Sequence, residues 1–197
     1  MRIRLYEPDD EVGWVRCRTL SFLDTAYFDN VLNKKEKYQN PAIELVAIQD
    51  GQVIGLLDIE YEREEKTVCT GGHGLGGMIW HMATHPDYQR MGVGTQLLEK
   101  AENLAKKENL NYLEAWTRDD EWVNQWYEKS GFDKVYSYMH VYLEGEDETE
   151  KVIRPSNESD LQVIQAFAHY TGSKPDSIKS QYKRVHECNC FEKKLNE

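Results

Sequence analysis

The sequence predicts a mixed α/β fold, because strand-like and helix-like segments follow one another along most of its 197 residues. Three observations carry this prediction. Apolar residues 78–84 have the composition of a strand and lead, through a turn with two glycines, into an amphipathic helix. The pair Asp50-Gly51 between two apolar runs indicates a β-hairpin. A second strand and helix, residues 112–117 and 121–130, follow the first pair.

The amino-terminal third predicts two helices beside three strands. Pro8 and the acidic residues after it start a helix that continues to about Leu23, because proline and acidic side chains suit a first helical turn. A second helix is expected over residues 28–37, and Asn40-Pro41 ends it. The strands are residues 2–6, 44–49 and 53–61, of which the last two form the hairpin.

The central segment predicts which side chains share a face. Strict alternation in the strand 78–84 gives one face with Met78, Trp80, Met82 and Thr84 and another with Ile79, His81 and Ala83. Spacings of three and four in the following helix give an apolar face with Leu97, Leu98, Ala101, Leu104 and Ala105. Residues 134–143, rich in β-branched and aromatic side chains, predict one or two further strands.

An acidic segment predicts a division of the chain near its carboxyl end. Residues 145–150 are mostly acidic and are expected to form a solvated linker. This gives a main domain at 1–144 and an extension at 151–197. So short an extension can hold little core of its own. We expect it to pack on the main domain or on a second subunit, which leaves a homodimer open.

The net charge and the cysteines indicate which classes of partner and which cellular compartment to expect. A formal net charge of −11 argues against nucleic acid and anionic membranes, since both need a basic protein surface. It is compatible with a cationic substrate, or serves only solubility. We expect no signal peptide, membrane span or disulfide framework, and therefore a cytoplasmic protein. Cys188-Asn189-Cys190 lacks the spacing of structural zinc, so no metal site is expected.

The turn after the strand 78–84 has the features of an anion site. Gly92 and Gly94 lack side chains, so consecutive N–H groups are exposed at the positive end of a helix dipole. Such a place holds a phosphate or pyrophosphate. A dinucleotide-binding fold would need a third glycine where Leu97 stands. A nucleoside-triphosphate loop would need a lysine where Thr95 stands.

Two motifs together resemble the GNAT acetyltransferase superfamily. The first is Gln89-x-x-Gly92-x-Gly94 after a strand, and the second is Tyr127-x-Lys129-x-Gly131-Phe132 at the end of the helix after the next strand. The matching region is about residues 78–132, and the order of elements over 2–143 also fits. The resemblance implies a mixed, mostly antiparallel central sheet flanked by helices, with splayed strands that hold acyl-CoA. It implies acetyl-CoA as the co-substrate.

The resemblance also implies where the cofactor binds. The pantetheine arm pairs with the strand edge like an added strand, and the amides of the glycine turn hold the pyrophosphate. Arg90 either adds charge-assisted contacts or is a solvated surface cation. Relatives often carry asparagine where this chain has Asp120, so Asn124, one turn later, is the nearer candidate. The implied residues are Met82, Ala83, Thr84, Gln89, Arg90, Met91, Gly92, Val93, Gly94, Thr95 and Asn124.

Acetyl transfer to an amine needs a proton donor for the leaving thiolate and a base for the ammonium. The resemblance places Tyr127 as the donor, and a packing tyrosine is the alternative. A histidine titrates where it could take a proton, which makes His81 a candidate base, although a strand histidine is more often structural. Glu114 is the second candidate, and Glu60 also lies on a strand near the expected cleft.

The acceptor is the open part of this interpretation. We expect direct attack by a primary amine in a ternary complex, and the acidic composition favours a small polar molecule. A peptide or protein amino group is one alternative. A non-catalytic sensor that binds acyl-CoA is the other.

Overall fold

Eight β-strands form one sheet in the computed structural model, which describes residues 1–153 and 162–195. The strands are β1 (Arg2–Leu5), β2 (Ala42–Gln49), β3 (Gln52–Tyr61), β4 (Gly76–Thr84), β5 (Tyr112–Thr117), β6 (Asp133–Glu144), β7 (Gln165–Tyr170) and β8 (Arg184–Lys194). Their order in the sheet is β1-β2-β3-β4-β5-β8-β6-β7. The helices are α1 (Glu11–Phe22), α2 (Val93–Lys107), α3 (Glu121–Lys129), α4 (Glu146–Thr149) and α5 (Pro175–Gln181). Within the described residues, no helix combines the length and apolar character needed to cross a bilayer.

The sheet is mixed and mostly antiparallel, as expected. Only β4 and β5 are parallel neighbours, and they pair over Gly76–Ile79 and Tyr112–Ala115. The hairpin of β2 and β3 is confirmed, with Gln49 opposite Gln52. Its turn residues Asp50 and Gly51 have φ of 52° and 78°. Positive φ at both positions is what a two-residue hairpin turn requires, and Asp-Gly adopts it readily.

Two apolar layers cover the sheet. On one face, α2 buries Val93, Leu97, Leu98, Ala101 and Ala105 against β2, β3 and β5, with α3 beside it. Full burial of a leucine such as Leu97 stabilises the fold by about 2 kcal/mol. On the other face, α1 packs through Trp14 and Cys17. The predicted apolar face of α2 is thus confirmed, with Leu104 only partly buried.

The predicted alternation of β4 is wrong at Trp80. Asp58 pairs with His81 while its neighbour Ile59 pairs with Ile79, so Trp80 is an extra residue in β4. This β-bulge shifts the alternation of side chains by one position. Ile79 and Met82 consequently pack in the same layer, under α2, and Trp80 is left 48% exposed.

The helix predicted for residues 28–37 does not form. The segment between α1 and β2 is irregular, and it gives its polar groups to the sheet and to α1 rather than to an internal helix. Lys35 bonds to Asp58 and Glu44, and Arg18 of α1 donates to the backbone and side chain of Asn30. Tertiary contacts override a weak local helical pattern here.

The carboxyl-terminal residues complete the sheet. β8 lies between β5 and β6 and pairs with both, and β7 adds an edge strand beside β6. The acidic segment expected as a solvated linker contains α4 instead. Buried Glu148 there accepts hydrogen bonds from the backbone N–H groups of Glu144 and Lys183 at 2.9 and 3.1 Å. The expected division at 145–150 therefore does not coincide with a break in the sheet.

Candidate functional site

A gap opens in the sheet where β4 and β5 separate. Their pairing stops at Ile79 and Ala115, and the remaining residues of β4 continue without β5. His85 donates its backbone N–H to the Ile54 carbonyl at 2.9 Å. Because hydrogen-bonded positions alternate along an antiparallel pair, the backbone N–H and C=O of Ala83 also point to β3. Those of Met82 and Thr84 point the other way, into the gap. An extended ligand can pair with that edge as an added strand. The expected backbone contact from Ala83 is not available in this arrangement.

The turn after β4 exposes the amino terminus of α2. Arg90 and Gly92 have φ of 61° and 79°, a left-handed conformation that glycine adopts without strain. Gly92 is the N-cap and no side chain caps the helix. Since the first helical bond runs from Gln96 N to Gly92 O, the N–H groups before Gln96 have no partner within the helix. These exposed amides at the positive helix end suit a pyrophosphate.

Gly94 joins this turn to the gap. A Cβ at Gly94 would lie 3.3 Å from Met82 Cε and 3.7 Å from both Thr84 Oγ1 and Trp126 Cζ2. β4, α2 and α3 thus meet around Gly94 at the end of the gap. Gly92 is needed for its φ, whereas a Cβ at Gly94 would press only on the flexible end of Met82. The residues present thus fit a ligand that carries a pyrophosphate on an extended arm.

Asn124 and Asp120 form internal bonds at the start of α3. Asn124 Nδ2 donates to the carbonyls of Arg118 and Asp120 at 2.7 and 2.9 Å, and its Oδ1 accepts from Asn189. The Asp120 carboxylate accepts from Ala26 N at 3.0 Å and so fixes the segment after α1. A cofactor contact from Asn124 would have to replace one of these bonds.

Tyr127 is buried in the last turn of α3. Its ring lies against those of Trp126, Phe132 and Phe191, with centroids 5.2, 5.2 and 5.3 Å away. Burial raises the pKa of the phenol, and its hydroxyl has no hydrogen-bond partner among the described residues. Tyr27, on the α1 face, has its pKa raised by burial and further by Cys188 and Tyr127.

The two glutamates considered as bases, Glu114 and Glu60, have no open position. Glu114 is fully buried, and its carboxylate accepts from Thr70 N, Thr70 Oγ1, Gly71 N and Trp116 Nε1. Glu60 accepts from the backbones of Gln39 and Asn40 at 3.0 and 2.8 Å and from Trp80 Nε1 at 2.8 Å. These glutamates fasten loops to β3 and β5.

His81 uses both ring nitrogens. Arg18 Nε lies 3.2 Å from His81 Nδ1, and because arginine only donates, Nδ1 accepts. The proton is then on Nε2, which donates to Glu36 Oε2 at 2.6 Å. The imidazole lies edge-on to Trp14 at 5.1 Å, on the α1 face. Glu36 was not predicted from sequence, because its segment was expected to be a helix.

A cavity of about 570 Å³ lies apart from the gap, between α1 and the β2–β3 hairpin. Arg4, Asp10, Gln52 and His85 are among its lining residues, and none of the expected cofactor or catalytic residues is. Arg4 and Asp10 already pair there at 2.6 and 2.8 Å. The four cysteines are buried and free, and the described residues hold no cluster of three or more His, Cys, Asp or Glu suited to a metal ion.

Known proteins share the fold of this chain. The model of the Acetyltransferase (GNAT) family matches residues 6–132. A GNAT family acetyltransferase from Streptococcus pneumoniae superposes with a TM-score of 0.62 at 15% identity over 99% of each chain. The PaiA N-acetyltransferase from Thermoplasma acidophilum, solved with coenzyme A, gives 0.55 at 13% over 98% of each. The ribosomal-protein-S18-alanine N-acetyltransferase from Escherichia coli gives 0.57 at 13%, over 100% of this chain and 94% of that one.

No curated protein matches the chain. At these low identities, the structural likeness concerns the fold alone. It does extend over the carboxyl-terminal strands, which the family model does not reach.

Proposed function

This chain belongs to the GNAT acetyltransferase family, and from that premise we propose that it transfers the acetyl group of acetyl-CoA to a primary amine of a small molecule. The observation that carries the proposal is the meeting of two features at Gly94. The open edge of β4 ends where the uncapped start of α2 begins. One ligand with an extended arm and a pyrophosphate can occupy both.

Cofactor binding is assigned to these two features. The amides of the turn from Met91 to Thr95 hold the pyrophosphate, with Gln89 and Arg90 beside it. Met82 and Thr84 pair with the amides of the pantetheine arm. One bond competes, since Ser21 Oγ donates to the Thr84 carbonyl at 2.8 Å.

The transfer is direct attack in a ternary complex. The amine nitrogen forms a bond to the thioester carbon, the carbon–sulfur bond breaks, and the sulfur takes a proton from Tyr127. The proton that the nitrogen loses on becoming an amide restores the Tyr127 phenol through water. A thiol has a pKa of about 8.5, so its thiolate leaves readily and the donor needs good placement rather than strength. The buried phenol of Tyr127 keeps its proton until the thiolate forms, because burial disfavours a phenolate.

A small acceptor suits the cover on the α1 side of the gap. The segment after α1 is held by bonds from Ala26 N to Asp120 and from Arg118 to the Ala26 carbonyl. Asp29 in the same segment accepts from Arg184 of β8 at 2.6 Å. The segment is thus fastened to β8 and to the start of α3, and a cover of this kind favours a small acceptor over a large one.

The test is a binding and turnover assay on the full chain. We expect calorimetry to detect acetyl-CoA binding, and a thiol reagent to detect CoA release that depends on a small primary amine. An aliphatic diamine, phenethylamine and a peptide with a free amino terminus serve as acceptors. Preference for the peptide would favour a protein acceptor. Tight binding without amine-dependent release would identify a sensor, and absence of acetyl-CoA binding would overturn the proposal.

A further inference from the structure

Buried carboxylates on the α1 side of β3 and β5 act as loop anchors. Glu62 accepts from the backbone N–H groups of Val68, Cys69 and Gly76, at 3.1, 2.9 and 2.9 Å. The carboxylates of Glu60 and Glu114 likewise accept hydrogen bonds from backbone N–H groups. Asp58 is wholly inaccessible and accepts from Lys35 and Tyr38 at 2.8 and 2.9 Å. No acceptor amine can reach these four groups without displacing protein.

Glu36 differs from them in exposure and in bonding. Its side chain is 50% exposed, and the one hydrogen bond it makes among the described residues joins Oε2 to His81 Nε2. Oε1 has no partner in the described part of the chain, so one carboxylate oxygen faces solvent. A carboxylate held by one oxygen and open at the other can receive an ammonium.

A buried chain of hydrogen bonds fixes the orientation of Glu36. Arg18 is 2% exposed and is anchored by bonds to the carbonyl and side chain of Asn30, at 2.7 and 3.1 Å. It donates to His81 Nδ1, which sets the proton on Nε2 for Glu36. Partners of this kind fix both the ring orientation and the tautomer of a histidine.

The position of His81 places Glu36 beside the gap. Ile79 is the last residue of β4 that pairs with β5, and His81 comes two residues later, just past the bulge at Trp80. The side chain of His81 lies on the face of the sheet that α1 covers. The turn after β4, to which we assign the pyrophosphate, belongs to the face that α2 covers. An acceptor that approaches from the α1 side would meet Glu36 while the thioester arrives from the other side.

We propose that Glu36 binds the ammonium of the acceptor and takes its proton, and that His81 is the residue that positions Glu36. The inference rests on the proposed acetyl transfer. One proton passes from the ammonium to Glu36 and on to solvent, and the freed lone pair forms the bond to the thioester carbon. The carbon–sulfur bond breaks and the sulfur takes the proton of Tyr127. The second proton that the nitrogen loses on becoming an amide restores the Tyr127 phenol through water. The products are the amide, CoA with a free thiol and one released proton, so atoms and charge balance.

The protonation state of Glu36 agrees with this role. The hydrogen bond from His81 lowers the pKa of the Glu36 carboxyl, against the opposing effect of partial burial. Glu36 is therefore ionised at neutral pH and attracts an ammonium. It returns the proton to water rather than keeping it, which a half-exposed carboxylate can do in every turnover.

The experiment compares Glu36→Gln and Glu36→Asp with wild type on phenethylamine, together with Glu65→Gln as the control. Glu65 is an exposed glutamate on the loop after β3. Loss of a positioned base costs about 10²-fold, so we expect Glu36→Gln to lower kcat/KM for the amine by that factor and leave the acetyl-CoA Kd unchanged. The pH at which kcat/KM reaches its plateau should rise, because only amine deprotonated in solution then reacts. Glu36→Asp should recover part of the rate.

His81→Gln tests the positioning role with the same readouts. A glutamine has no imidazole ring to hold Glu36 in place. We therefore expect kcat/KM for the amine to fall by about tenfold with a shifted pH profile, while acetyl-CoA binding stays intact. Wild-type rates and pH profile in Glu36→Gln would overturn the assignment of Glu36 and leave the acetyl transfer standing. Wild-type chain that binds acetyl-CoA and acetylates no amine would overturn both. Since Glu36 is half exposed, matching melting curves should show that its variants fold.

Discussion

At the scale of single residues, a phenol with a buried ring and a hydroxyl without a protein partner is the feature to explain. A fully enclosed phenol hydroxyl usually finds a hydrogen-bond partner. The fully enclosed side-chain atoms without a partner in the described residues are Trp14 Nε1, Asp58 Oδ1 and Asn189 Oδ1, and the Tyr127 hydroxyl is not one of them. Tyr127 is 6% exposed, and its hydroxyl has no partner among the described residues. Its ring is held on three sides by aromatic neighbours. A proton donor for a bound thioester would leave the hydroxyl free in this way, with its direction fixed by packing.

Tyr127→Phe removes the hydroxyl and keeps the packing. We expect kcat to fall by about 10²-fold, the usual contribution of a positioned acid, with the acetyl-CoA Kd and the melting temperature nearly unchanged. Tyr136→Phe is the matched control, because Tyr136 is 51% exposed on β6. Steady-state kinetics and calorimetry measure the two quantities separately. Unchanged turnover in Tyr127→Phe would remove Tyr127 from the mechanism.

His140 on β6 should make folding stability depend on pH. Burial, and after it the nearby side chains of Arg118, His169, His186 and Arg184, lower its pKa from 6.5 to about 4. Between pH 4 and pH 6.5, His140 is protonated in the unfolded chain and neutral in the folded chain. Its contribution to stability is therefore fully present above pH 6.5 and is lost as the pH falls towards 4. Urea unfolding of wild type and His140→Gln at pH 7.5 and 5.0 checks this. The variant should be relatively more stable at pH 5.0, and an equal difference at both pH values would contradict the assignment.

Sequence predicted those residues whose roles depend on their neighbours in the chain. Gln89, Gly92 and Gly94 are predicted from sequence because a turn that opens a helix is a local pattern. His81 and Glu114 were noticed by residue type, yet their bonds come from Arg18, 63 positions earlier, and Thr70, 44 positions earlier. No pattern in one sequence specifies such partners. That these bonds occupy His81 and Glu114 was for that reason not predictable from sequence.

At the scale of elements, β4 and α2 work as one unit. The bulge at Trp80 turns Met82 under α2, where its Cε comes within 3.3 Å of the place that a Cβ of Gly94 would take. Sequence predicted the strand, the turn and the helix with bounds close to those observed. The bulge was not predicted, because it depends on how β4 pairs with β3. Apolar residues occur on both faces of β4, so the sequence pattern does not show where the alternation of side chains shifts.

Gly94→Val should weaken acetyl-CoA binding by filling the junction of the gap and the turn. The new side chain would meet Met82, Thr84 and Trp126, and it would move α2 away from the edge of β4. We expect the Kd to rise by at least about tenfold, the equivalent of one lost charge-assisted bond of about 1.5 kcal/mol. Lys100→Val, on an exposed position of the same helix, controls for the poorer helix propensity of valine. An unchanged Kd by calorimetry would show that the ligand does not use this junction.

At the scale of the whole molecule, the last strand is central to the sheet. β8 pairs with β5 from Tyr112 to Thr117 on one side and with β6 on the other. Its residues also carry Phe191 against Tyr127 and Asn189 against Asn124. The division at the acidic segment does not record this pairing, because charge density locates a solvated surface. α4 offers such a surface while Glu148 and Thr149 stay buried. Strand order is set by pairing between distant segments, which local composition does not record.

A chain that ends at residue 144 should therefore not fold, although it contains both motifs of the family. Without β8, the facing edges of β5 and β6 lose their hydrogen-bond partners, and Tyr127 loses the ring of Phe191. Exposed edges of this kind favour aggregation. Circular dichroism during heating should show a cooperative transition for the full chain and none for residues 1–144. Adding residues 145–197 as a separate peptide should restore the transition if β8 alone is missing. Cooperative unfolding of the 1–144 chain, with acetyl-CoA binding retained, would instead support an independent domain that ends before the acidic segment.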